Sequence, residues 1–242
     1  MDIPSVTVEQ MRQVDKSAPA DFGLSILMMM ENASIHIADL AQHMLSGKVD
    51  DKNIVVMSHK GNNGGDGLGA ARHLIHRGAT VTVISTTSQN ELTKATQKQY
   101  RVLQAVACNY IEVTKETRHE IVPIMKRSDL IIDGLLGYNI IGKPKSPLNM
   151  LIMEANASKM PILSIDIPSG LDGNTGMAFF PTIQATSTLT LALPKIGLLK
   201  PKAQKYVGEL WLADLSIPDN VYRHIGIEMN PLFTTNRLFQ LK

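Results

Sequence analysis

The residues able to do chemistry in this chain fall in three short clusters, each at the end of an apolar run. The first is Gly61-Asn62-Asn63-Gly64-Gly65-Asp66-Gly67-Leu68-Gly69, which follows Ile54-Val55-Val56-Met57. Its glycines lack the Cβ atoms that would hold a ligand off the backbone. A glycine turn entering a helix also aims several N–H donors at one spot, which suits an anion. Two amides and a carboxylate add side-chain chemistry to that backbone. The second cluster, Asp133-Gly134-Leu135-Leu136-Gly137-Tyr138-Asn139, follows Leu130-Ile131-Ile132 and runs on to Lys143. The third, Asp166-Ile167-Pro168-Ser169-Gly170-Leu171-Asp172-Gly173, follows Ile162-Leu163-Ser164-Ile165. A single Asp after a strand can simply cap a turn. Two of them beside a glycine-amide turn, on one sheet edge, describe a cleft.

Asn63, Asp133 and Ser169 are hard oxygen donors, and only one of them is charged. That set favours a monovalent cation over Mg²⁺ or Ca²⁺; equally, the three can hydrogen-bond one another. His59 and His73 have no second His or Cys at metal-ligand spacing. His73 reads as a surface or groove residue, and His59 as a candidate for the cleft wall. Lys195, after Leu191-Ala192-Leu193-Pro194, either reaches the same edge or is solvated. Two nucleotide signatures are missing. A P-loop ends in Gly-Lys-Ser/Thr, whereas this turn ends in Gly67-Leu68-Gly69. Gly65, Gly67 and Gly69 also fall outside the G-x-G-x-x-G frame, and neither that fingerprint nor a ribose-binding acid about 20 residues later is clear, which disfavours an NAD(P)-dependent oxidoreductase.

The elements that must position these clusters alternate. Strands are predicted at Asn53–Met57, Thr80–Ser85, Asn109–Val113, Leu130–Asp133, Ile162–Asp166, Ala185–Leu193 and Glu209–Ala213. Helices are predicted at Thr7–Ala18, Ser25–Met44, Leu68–Arg77, Leu92–Ala107, Lys115–Lys126 and Leu148–Ala157. Continuously apolar strands between helices imply right-handed βαβ units and a mostly parallel sheet covered on both faces. Such open sheets bind ligands beyond the carboxyl ends of their strands, where all three clusters stand. The 242 residues read as one domain: two leading helices at 7–44, a sheet core at 53–215 and an unassigned tail at 216–242. A net charge of +2 argues against nucleic acid or membrane partners. Cys108 is alone, which excludes a disulfide framework and points to a reducing, cytoplasmic setting. The start Met1-Asp2-Ile3-Pro4 lacks the basic and apolar regions of a signal peptide.

These clusters, in this order and at similar spacing, resemble the YjeF N-terminal domain family, whose members are NAD(P)H-hydrate epimerases. Val6-Thr7-Val8-Glu9-Gln10-Met11 and Met29-Met30-Glu31-Asn32-Ala33 are similar to the family's leading helices. Leu193-Pro194-Lys195-Ile196-Gly197-Leu198-Leu199 and Gly208-Glu209-Leu210-Trp211-Leu212-Ala213-Asp214 are similar to its last strands. The resemblance implies a three-layer α/β/α Rossmann-like fold, a homodimer, for which Met residues of the leading helices offer a face, and one potassium ion (K+) per subunit. It implies that Asn62, Asn63, Gly64, Gly65 and Asp66 contact the hydrated dinucleotide. Gly137, Tyr138, Asn139, Ile140, Ile141, Gly142 and Lys143 would wrap its phosphate, and Asp166 would meet its reactive end. Asn63, Asp133 and Ser169 would hold the ion. Two stretches depart from the family pattern: His59-Lys60 before the glycine turn, and Tyr138-Asn139-Ile140-Ile141-Gly142-Lys143 in place of a Thr-Gly loop. The dehydratase domain that many members carry does not fit in this length, so it is expected as a separate protein.

The implied substrate is NADH or NADPH with water added beside the ring nitrogen. The nitrogen lone pair can expel the hydroxyl, and water can return to either face, interconverting R and S forms. Asp166 is the first choice for moving the protons. The competing reading is a non-catalytic dimerisation or RNA-associated module of the same fold. Asp133→Ala is expected to matter only when potassium is present. The whole reading requires Asp66, Asp133 and Asp166 to converge above one rim.

Overall fold

The computed structural model describes residues 3–140, 142–229 and 232–241. Two helices lead, α1 (Val8–Asp21) and α2 (Ile26–Met44). Both starts are legible in side chains. Thr7 and Gln10 form a reciprocal capping box on α1, and Ser25 accepts from the Met28 N–H at the start of α2. Then come β1 (Asn53–Ser58), α3 (Asn62–His76), β2 (Thr80–Ser85), α4 (Lys94–Leu103), β3 (Asn109–Glu112), α5 (Arg118–Lys126) and β4 (Leu130–Gly134). The second half holds α6 (Leu148–Ser158), β5 (Ile162–Ile165), β6 (Ser187–Leu191), α7 (Gln204–Val207), β7 (Glu209–Ala213), α8 (Asp219–His224) and β8 (Leu238–Gln240).

The eight strands among the described residues join one sheet in the order β3-β2-β1-β4-β5-β6-β7-β8. Every pairing is parallel except β7 with β8. The period-two alternation of β1 divides the core: Ile54 and Val56 pack under α1, α2 and α3, while Val55 and Met57 pack under α5 and α6. This is the expected three-layer α/β/α fold. The chain direction across the sheet reverses between β1 and β4, which places the crevice of such folds at that point. The tail left unassigned by sequence supplies β8, which closes the β7 edge. No helix among the described residues is long and apolar enough to cross a membrane.

One expectation is corrected. The glycine-rich stretch is not a turn feeding a helix at Leu68; it is itself the first two turns of α3, with Gly61 at the N-cap. Glycine disfavours a helix interior, but contact overrides that propensity here. A Cβ on Gly64 would lie 1.8 Å from the His59 carbonyl oxygen, and one on Gly69 2.1 Å from Ser34 Oγ. The glycines let α3 press against β1 and α2.

Candidate active site

A cavity of about 480 Å³ opens at the β1/β4 switch point. Its floor is the start of α3. Gly61 offers no side chain to cap that helix, so the first N–H groups of α3 are free to meet an anion. Asn62, Asn63 and Asp66 line the cavity from α3, and Gly137, Tyr138, Asn139 and Ile140 line it from the loop after β4. Met11, Met29, Met30 and Leu215 form an apolar wall, and Asp166 and Lys195 stand at the exits of β5 and β6. His59 lines the cavity beside Lys60, its Nδ1 2.8 Å from Thr86 Oγ1. Burial and the Lys60 charge push its pKa down.

Asp166 is held in an unusual backbone. Its φ is +65°, and the Ile167 N–H closes a tight turn on the Ile165 carbonyl at 2.8 Å. Ala192, at the exit of the neighbouring β6, repeats this with φ +64° and a 2.8 Å bond from the Leu193 N–H to the Leu191 carbonyl. Left-handed φ at a non-glycine residue costs on the order of 1–3 kcal/mol and collects at functional sites. The two turns bring Asp166 and Lys195 together in a buried ion pair. Asp166 Oδ1 also accepts from the Leu191 N–H at 3.2 Å, and Lys195 Nζ donates to the Leu191 carbonyl at 3.0 Å. The solvated alternative for Lys195 is therefore overturned; the side chain is 1% exposed. The bond from the Val6 N–H to the Pro194 carbonyl, 2.9 Å, and that from Ile196 back to Val6, 3.0 Å, pin its strand.

Two further acids face this pair. The Asp66 carboxyl is pushed well up by burial, with Asp166 and Asp15 adding repulsion. Asp15, on α1, is raised by burial, although the Tyr138 hydroxyl that donates to it works the other way. Burial pushes the Tyr138 hydroxyl up as well, and its ring lies 5.9 Å from Lys195 Nζ. Sequence reasoning missed Asp15. The available signal was an acid four residues after Met11, on the stripe of α1 that also carries Val8, Val14 and Ala18.

Asp66 and Asp166 converge as expected, but Asp133 does not line the cavity. It lies fully buried beneath the rim, where its carboxylate accepts from Ser169 Oγ (2.6 Å), the Ser169 N–H (2.9 Å), Ser164 Oγ (2.9 Å) and the Leu135 N–H (3.3 Å). Burial raises its pKa against those donors. Removing Asp133 takes the acceptor from the Ser169 N–H, Ser164 Oγ and the Leu135 N–H in any buffer, so Asp133→Ala is expected to cost stability without potassium as well as with it. Asn63 donates to the Ile165 carbonyl at 2.9 Å, and its Oδ1 sits where a side chain on Gly137 would collide. Asn63, Asp133 and Ser169 thus surround the same loop, 133–137. The set is all oxygen with one carboxylate, which fits a hard singly charged cation. Ser169 Oγ has the Leu136 carbonyl as a second acceptor at 3.3 Å, so its proton can turn away and free a position on Asp133. Among the described residues no group of three or more His, Cys, Asp or Glu is placed to hold a metal.

Gly64 and Gly65 are buried in α3 and serve packing; neither lines the cavity. Gly142 and Lys143 also lie outside its lining, and Lys143 is exposed. Ile141 lies outside the described residues.

A doubly wound sheet with a carboxylate-rich crevice at its switch point defines a Rossmann-like α/β protein built to hold a ligand. The chain belongs to the family described as YjeF-related protein N-terminus, whose model matches residues 26–197. It is 33% identical over 226 residues to the NAD(P)H-hydrate epimerase of Dehalogenimonas lykanthroporepellens, covering 93% of this chain and 87% of that protein. It is 32% identical to the bifunctional NAD(P)H-hydrate repair enzyme Nnr of Moorella thermoacetica, with 89% of this chain matching 41% of that one. The fold superposes on that of yeast ynu0, YNL200c, with a TM-score of 0.83 at 22% identity, covering 99% of this chain and all of the other.

Proposed function

We propose that this protein is an NAD(P)H-hydrate epimerase, an isomerase that interconverts the R and S forms of hydrated NADH and NADPH as nucleotide repair. The observation that carries this reading is Asp166, raised by its strained turn into a cavity whose floor is the uncapped start of α3. The free N–H groups of α3 bind phosphate, and the loop from Gly137 onward wraps it. The apolar wall of Met11, Met29 and Met30 receives the pyridine ring. Departure of the hydroxyl leaves a planar cationic ring, and the Asp166 carboxylate stabilises that charge and takes a proton from the returning water. Lys195 holds the carboxylate in place. The ring is neither oxidised nor reduced.

Asn63, Asp133 and Ser169 would hold a potassium ion, which would order the loop after β4 around phosphate and supply little chemistry of its own. The bifunctional repair enzymes among its relatives suggest the functional partner, a dehydratase activity that consumes one epimer of the hydrate. A homodimer is proposed on the first turn of α2, where Ile26 and Met28 are exposed.

The test mixes the protein with an S-specific dehydratase and racemic hydrate. Consumption of all the hydrate supports the epimerase. Consumption that stops near half refutes it, and RNA retarded at physiological salt would instead favour the non-catalytic module.

A further inference from the structure

Epimerisation sets two proton tasks on two faces of one ring: a departing hydroxyl must gain a proton and an entering water must lose one. We propose that Asp66 is a second catalytic residue, the proton donor to the departing hydroxyl, working across the bound ring from Asp166. This rests on the epimerase reading.

The geometry separates Asp66 from every other buried acid near the cavity. Asp133 is occupied by four donors, Asp166 by Lys195 and the Leu191 N–H, and Asp15 by Tyr138. Asp66 is 6% exposed and lines the cavity from α3, and what acts on its carboxyl is burial and two neighbouring acids, with no hydrogen bond or cation among those influences. A buried carboxylate without a partner is costly, so such a group takes a proton and becomes a donor. Its neighbours work in the same direction. Burial opposes a charge on Asp66 most, and Asp166 and then Asp15 repel it further. Among the described residues, the cations on the cavity wall are Lys195, committed to Asp166, and Lys60, which flanks His59. The wall from α2 is apolar at Met29, Met30 and Ala33.

The step balances. The Asp66 O–H proton passes to the hydroxyl oxygen as the C–O bond breaks, and the ring nitrogen lone pair forms the C=N⁺ bond. One water leaves. Another water bonds to the same carbon from the far face as the C=N π pair returns to nitrogen, and its extra proton passes to Asp166. The opposite epimer runs the same path backward, and exchange with solvent water resets the two acids.

Asp66→Asn keeps the size of the side chain but holds no transferable proton. General acids contribute about 10²- to 10⁴-fold, so kcat for interconversion falls by that factor while KM stays within about threefold. Wild-type kcat declines at alkaline pH as Asp66 ionises, and the mutant lacks that limb. A second readout needs no turnover: infrared difference spectra at neutral pH show a protonated carboxyl in the wild type that is missing from Asp66→Asn. A mutant turning over within threefold of wild type, or equal spectra, overturns the role of Asp66 alone. A wild type that leaves both epimers unconverted overturns the epimerase reading and this role with it.

Discussion

Replacing Lys195 with Met tests whether the Asp166 ion pair holds the strand exits together. The side chains of Lys195 and Asp166 are 1% and 4% exposed, so neither charge has water to fall back on. Removing one partner of such a pair leaves an uncompensated buried charge, at a cost of about 3–5 kcal/mol. The Leu191 carbonyl loses its Lys195 donor in the same change. Met fills most of the vacated volume, so a cavity adds little. Against a total stability on the order of 5–15 kcal/mol, the loss is large. With a urea slope of about 3 kcal/mol per molar, the midpoint moves down by roughly 1–1.7 M. The control is Lys195→Met with Asp166→Asn. Asn tolerates the left-handed backbone at that position, and the double variant no longer buries a lone charge, so most of the midpoint returns. A single variant within about 0.3 M of wild type, which is only about 0.9 kcal/mol at that slope, or a double variant no better than the single, would show that the pair does not hold the exits together.

Gly64→Ala places a methyl 1.8 Å from the His59 carbonyl oxygen, a backbone atom that cannot swing aside. Overpacking of this kind costs about 1–3 kcal/mol or more, and thermal unfolding should show a lower Tm with loss of turnover as α3 is pushed off β1. Replacing potassium with a large organic cation should lower Tm in the wild type, by the equivalent of about 2.7 kcal/mol if the ion had stood at a hundred times its Kd. An unchanged Tm would argue against an ion at Asn63, Asp133 and Ser169.

How far the site was legible depends on what kind of contact defines it. Asp66, Asp133 and Asp166 were visible because each follows a strand-like run or a glycine cluster, and topology carries strand exits to one edge. Asp15 and Lys195 were harder. Asp15 comes from a helix that precedes the sheet, and it enters the site only because α1 packs over the crevice and Tyr138 reaches it across 123 positions of chain. Lys195 looks like any lysine until the Val6 bridge and the pair with Asp166 bury it. The glycine stretch misled for a related reason: local propensity reads Gly as a turn, while its use here is close packing of α3 against β1 and α2.

By itself the sequence determined the alternation of strand and helix, the parallel sheet and the three acid-bearing exits, because those follow from periodicity and from the direction of βαβ crossovers. Tertiary structure alone decided which acids face the cavity and which lie under it, and which carboxyl keeps a cation while another meets burial and further acids. The physical reason is that burial and charge pairing are properties of neighbours in space, and the neighbours of Asp15, Asp66, Asp166 and Lys195 are far away along the chain.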